Sequence, residues 1–266
     1  MLPLLAFVSA VTVWGQPQNP AARAFTEVGI DQKLDHQIPL ELTFRDDLGK
    51  TVTLQKYFHS RPVIISLVYY NCPMLCTQVL NGMVETFRTL NFTAGKEFDV
   101  ITVSIDPGES FELAAEKKEQ YIEAYDRAGT GDGWHFLTGE QESIARLADA
   151  VGFRYVYDEQ TGQFAHASGI MVATPEGKLA RYLYGIEYGA KDLRFSLMEA
   201  SQNRIGSPVD KLLLLCYHYD PMTGKYGVLV ATLLRIGGAL AVLALGGFMF
   251  RSFRRDRQKS LQPLKS

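Results

Sequence analysis

Cysteine is scarce in this 266-residue chain. Only Cys72, Cys76 and Cys216 occur, which excludes a small scaffold stapled by disulfides. No second cysteine pair exists, so a four-thiolate zinc or iron–sulfur site is excluded as well. Charge of one sign is also lacking. The net charge of −2 carries none of the basic surplus that marks a nucleic-acid partner. Internal repeats and extended low-complexity segments are absent too. What remains is 47% hydrophobic and 21% charged, enough to bury one full core with appendages.

Both ends carry membrane signals. Residues 1–15 are apolar but too short to span a bilayer, with Val13 and Gly15 placed for a signal-peptide cut before Gln16. A basic leader is missing, since the first basic residue is Arg23; an uncleaved anchor or a start further upstream is the alternative. Val228 to Phe250 is apolar with one charge, Arg235, and is long enough to span. The tail 251–266 holds Arg251, Arg254, Arg255, Arg257, Lys259 and Lys265 against Asp256 alone. The positive-inside rule puts this tail in the cytoplasm and everything before Val228 on the periplasmic or equivalent side. Disulfide and copper chemistry are permitted there.

Between the ends, strands and helices alternate. Pro62–Tyr70 and Phe98–Ile105 read as buried strands, and Trp134–Leu137 as a short one. Gln78–Leu90, Ser110–Arg127 (Ser110 as N-cap), Glu140–Val151 and Gly189–Arg204 read as helices. Pro39–Phe44 with Thr51–Leu54, and Gly169–Thr174 with Lys178–Tyr184, read as hairpins. The pattern predicts an α/β three-layer domain over about 25–208. A juxtamembrane segment, 209–227, leads from it into the span at 228–250.

Cys72 and Cys76 lie between the first buried strand and a helix. A strand-to-helix turn offers backbone N–H groups and the positive helix end, which favour thiolate. Residues i and i+4 of a helix share a face, so both sulfurs can point at one soft ion or exchange disulfides. Two small buried thiols with no chemical role are the plain alternative. Met74, between them, packs or faces solvent, with an approach to a bound copper ion as the alternative.

The string Tyr69-Tyr70-Asn71-Cys72-Pro73-Met74-Leu75-Cys76, then Val103-Ser104-Ile105-Asp106-Pro107, then Phe164-Ala165-His166 before Gly169-Ile170 resembles the Sco/SenC family. The likeness covers about residues 25 to 205. It implies a thioredoxin-like domain that binds one copper ion, Cu(I) or Cu(II), through Cys72, Cys76 and His166. It also implies a copper chaperone whose partner is the copper-bearing subunit of cytochrome c oxidase. A disulfide oxidoreductase that keeps that client's cysteines reduced is the rival, with Cys72 attacking and Cys76 resolving. A peroxide-handling relative of the fold is a weaker third reading. From the residues alone, His166 sits in a loop of small residues, able to reach a neighbouring turn. Asp106 ends a strand near the same edge, either as an orienting group for the site or as a simple Asp-Pro stop. His59 and His135 read as structural.

This chain departs from the family pattern in anchoring at its C-terminus rather than its N-terminus. Cys216, His218 and Met222 are copper-compatible ligands close to that anchor, and an auxiliary copper or docking site is one reading of them. An interfacial segment carrying Tyr217, Tyr219 and Tyr226 is the other.

Overall fold

The computed structural model describes residues 27–72, 75–205 and, beyond these, 219–220, 225–226, 235–236, 238–239, 242–243, 245–246, 249 and 251. The chain divides into two units, Met1–Gly206 and Ser207–Ser266.

The first unit is built on a five-stranded sheet. β4 (Val63–Val68) and β5 (Asp99–Ser104) are buried at every position. Runs as apolar and β-branched as Val-Ile-Ile-Ser-Leu-Val are stable only when both sheet faces are covered. They pair in parallel with each other, and β5 pairs in parallel with β6 (Trp134–Leu137). β9 (Gly169–Ala173) runs antiparallel to β4, and β10 (Leu179–Tyr184) antiparallel to β9. The resulting order is β10-β9-β4-β5-β6. A tight turn at Pro175–Gly177 joins the last two strands; Gly177 takes φ 83°, which only glycine adopts without strain.

Helices supply the crossovers that parallel strands require. α1 (Leu75–Thr89) joins β4 to β5, and α2 (Phe111–Tyr125) joins β5 to β6. Ser110 caps α2 by accepting from the Leu113 N–H. α1 packs against α2 and against α4 (Ala190–Ser201), while α3 (Gln141–Ala150) packs against β7 (Phe153–Asp158). β7 belongs to a second sheet, ordered β1-β7-β8, with β1 at Gly29–Ile30 and β8 at Gln163–His166. Phe87, Phe98, Tyr125 and Trp134 meet edge to face in the core, with ring centroids 5.2 to 6.4 Å apart.

Three local readings need adjusting. Only Thr43–Arg45 of the first hairpin arm is strand (β2, paired with β3, Thr51–Thr53), because Pro39–Leu42 closes into a turn. α1 starts at Leu75, ahead of Gln78, so that Cys76 lies in its first turn. The stretch Gln163–His166 is no loop: it is β8, paired antiparallel with β7.

In the second unit, β11 (Tyr219–Asp220) pairs with β12 (Lys225–Tyr226). Among the described residues no helix is long and apolar enough to cross a membrane. Most of 228–250, the N-terminal segment 1–15 and the greater part of 209–227 lie outside the described residues.

Candidate metal centre

β4 ends at Val68 and the chain turns through Tyr69–Asn71, the Cys72 N–H donating to the Tyr69 carbonyl at 3.3 Å. At the start of α1 the Cys76 N–H points at Cys72 Sγ, 3.3 Å away. The Cys72 sulfur therefore takes one of the amides that a helix start leaves unsatisfied. Cys76 is 2% exposed, and its Sγ accepts from the Tyr69 N–H at 3.5 Å. No disulfide joins Cys72 to Cys76.

His166 arrives from the second sheet. β8 ends on it, and pairing with Tyr155 of β7 sets its position. Its Nε2 lies 2.8 Å from Cys76 Sγ, and its Nδ1 lies 2.9 Å from the Ala167 carbonyl oxygen. A carbonyl has no proton to give, so Nδ1 carries the ring hydrogen and donates it. Nε2 is then left with its lone pair aimed at the sulfur. Phe153 and Tyr69 close around the imidazole, with ring centroids 5.9 and 6.0 Å from it.

Burial sets the electrostatics. It pushes the Cys76 thiol well above its usual range, only partly countered by the Tyr69 N–H. It also lowers His166 below its ordinary 6.5, against the opposing hydrogen bond to Ala167. Without a metal, the site thus holds a neutral imidazole facing a protonated Cys76 thiol at neutral pH. Burial raises the Tyr69 phenol too, and its hydrogen bond with the Cys72 side chain adds to this.

Cys72 Sγ, Cys76 Sγ and one His166 ring nitrogen all lie within 4.8 Å of one another. Two sulfurs and an imidazole at that spacing make a three-point donor set for a soft cation. The SCO1/SenC family model matches residues 31–194, more than half of the chain. The chain belongs to the SCO1/SenC family. Among solved structures, a putative electron transfer protein from Aquifex aeolicus VF5 is 25% identical, with a TM-score of 0.57 over 65% of this chain and 96% of that one. A SCO1/SenC family lipoprotein from Bacillus anthracis str. Ames is 17% identical (TM-score 0.52; 65% and 99% covered). ScoI from Arabidopsis thaliana, solved with copper bound, is 18% identical (TM-score 0.50; 61% and 96% covered). The last two likenesses concern the fold alone. No curated protein matches the chain.

In this SCO1/SenC protein Asp106 is not part of the donor set. Asp106 uses Oδ1 to accept from the Gly108 N–H at 2.8 Å, closing its own turn. The carboxylate that reaches the cysteine turn is Glu109, which the sequence reading missed. Its Oε2 accepts from the Tyr70 N–H at 2.7 Å and from Ser104 Oγ at 2.5 Å, and its Oε1 accepts from the Asn71 N–H at 2.7 Å. Glu109 is 8% exposed, and burial raises its pKa against the lowering effect of those three donors. The one available signal was an acid directly after Asp106-Pro107-Gly108, in a turn that follows a buried strand. His135 packs on Tyr57 at 4.3 Å between centroids, and burial lowers it to about 4. His59 is exposed. Met74, Cys216, His218 and Met222 lie outside the described residues.

Proposed function

We propose that this chain is a copper-binding chaperone, tethered to a membrane, that supports assembly of the dinuclear copper centre of cytochrome c oxidase. The observation that carries the reading is the convergence of Cys72, Cys76 and His166 within 4.8 Å. Copper is the cargo these donors suit. Thiolates select Cu(I), an imidazole is tolerated by Cu(I) and Cu(II), and structural zinc would call for a fourth protein ligand. Among the described residues no fourth His, Cys, Asp or Glu joins the group. Cys72 is half-buried whereas Cys76 is fully buried, so an incoming client thiolate would meet Cys72 first and take over ligands one at a time.

The membrane tether rests on the apolar run 228–250 and the basic tail after it, which assign the domain to the extracytoplasmic side. The described helical positions there expose Ile236, Val242, Leu243, Leu245 and Met249, side chains that suit a lipid environment. A tether raises the effective concentration of the domain near a membrane-bound client without any new contact.

A second reading is favoured by the closeness of the two thiols and their unequal exposure. The Cys72 thiolate would attack a client disulfide, forming one S–S bond and releasing one client thiolate. Cys76 would then attack Cys72 Sγ, its proton leaving with the second client sulfur as that sulfur departs, so that the chain ends oxidised and the client reduced. One experiment separates the two. His166→Ala should weaken Cu(I) binding at least 100-fold while leaving reduction of a model disulfide within a few-fold of wild type, because loss of a direct ligand costs more than the 10–100-fold typical of an outer partner. Unchanged copper affinity would refute the three-donor site.

A further inference from the structure

We propose that Glu109 is the positioning residue of the cysteine turn. Its carboxylate clamps the consecutive Tyr70 and Asn71 amides and so fixes Cys72 in register with Cys76. This deepens the copper reading and rests on it for the metal, though the clamp itself is a property of the metal-free chain. Each oxygen of Glu109 takes one of two successive backbone N–H groups, at 2.7 Å each, immediately before Cys72. Ser104, at the end of β5, donates to Oε2 and orients the carboxylate. The far end of Tyr70 is tied down as well, its hydroxyl donating toward the Leu137 and Thr102 carbonyls at 2.8 and 3.0 Å.

Among the described residues, Glu109 is the side chain that accepts from both amides. A charged acceptor on backbone N–H groups makes stronger bonds than a neutral one. Release of both would let the Tyr70–Asn71 peptide rotate, and the 3.3 Å approach of Cys72 Sγ to the Cys76 amide would go with it. The clamp thus acts through the thiols it places, and Glu109 touches neither sulfur.

The test uses the full chain in detergent, reduced and metal-free, as wild type, Glu109→Ala, Glu109→Gln and the comparator Thr86→Val. Thr86 is buried on α1 and its hydroxyl donates toward the Gly82 and Tyr188 carbonyls, so its loss destabilises the fold without touching the turn. Two quantities are read at a temperature where each variant is folded: Cu(I) affinity by chelator competition, and the Cys72–Cys76 dithiol–disulfide equilibrium against glutathione. Glu109→Ala is expected to weaken Cu(I) 10–100-fold, the range for partners that orient ligands. It is also expected to disfavour the disulfide about tenfold, or about 30 mV, as the thiols lose their mutual placement. Glu109→Gln keeps one acceptor and should fall between, and Thr86→Val should match wild type in both. Values for Glu109→Ala within twofold of wild type overturn the proposal. Should that variant not fold, wild-type values for Glu109→Gln overturn it equally. If the wild type itself binds no copper, the copper reading fails while the glutathione equilibrium still decides the clamp.

Discussion

Proton release is the sharpest consequence of a buried thiol facing a neutral imidazole. Cys76 is 2% exposed and held well above its usual pKa by burial, with the Tyr69 N–H pulling against it. A metal must therefore displace at least one proton from the site. His166 is pulled below 6.5, so above that pH it binds without releasing any. Between pH 6.5 and 8.5 the apparent Cu(I) affinity should rise about tenfold per pH unit from Cys76 alone. That amounts to about 100-fold, or close to 2.7 kcal/mol, at about 1.36 kcal/mol per unit. A second displaced thiol proton steepens the slope. Competition against a chromophoric Cu(I) chelator, corrected for its own protonation, measures the slope. Calorimetry in two buffers of different ionisation enthalpy counts the protons. A flat affinity over this range, with no proton released, would mean that Cys76 is already a thiolate beside a neutral imidazole. The burial argument would then be wrong.

Two further outcomes follow from positions away from the donors. His135 is lowered to about 4 by burial, so the folded chain binds that proton only near pH 4 whereas the unfolded chain binds it near 6.5. Its contribution is fully present above pH 6.5 and is lost as pH falls to about 4. The gap is worth up to about 3 kcal/mol, and His135→Phe should flatten the acid limb of a urea-unfolding series on the metal-free chain. His166 adds to the limb in the same direction, so its slope should diminish without vanishing. At Gly82 an added Cβ would stand 1.7 Å from the Ile186 carbonyl oxygen, a backbone atom that cannot swing away. Gly82→Ala should therefore cost about 2–3 kcal/mol of overpacking strain despite the better helix propensity of alanine. Thermal unfolding at an unchanged or raised midpoint would contradict it.

Much of the central sheet was legible along the chain. Val63–Val68 and Asp99–Ser104 are short, β-branched and flanked by turn residues, and local pattern suffices for strands buried on both faces. Ser110 likewise announced its helix, because a cap bonds only to residues three positions on. β8 was not legible. Gln163-Phe164-Ala165-His166 has little strand preference of its own and is extended because β7 pairs with it. Glu109 escaped for a related reason: its partners at Tyr70 and Asn71 are 39 and 38 positions away, and an acid in a turn reads as solvated until β4 and β5 lie side by side.

The sequence by itself determined the chemistry on offer: two thiols four positions apart at a strand-to-helix turn, which local backbone geometry brings onto one side. Only the tertiary structure decided that a histidine 90 positions further on meets them, with Nδ1 committed to a carbonyl and Nε2 left for the sulfur. Spacing along a chain fixes contacts within a turn or a helix. Contacts between two sheets depend on how their faces pack, and that is a property of the whole core.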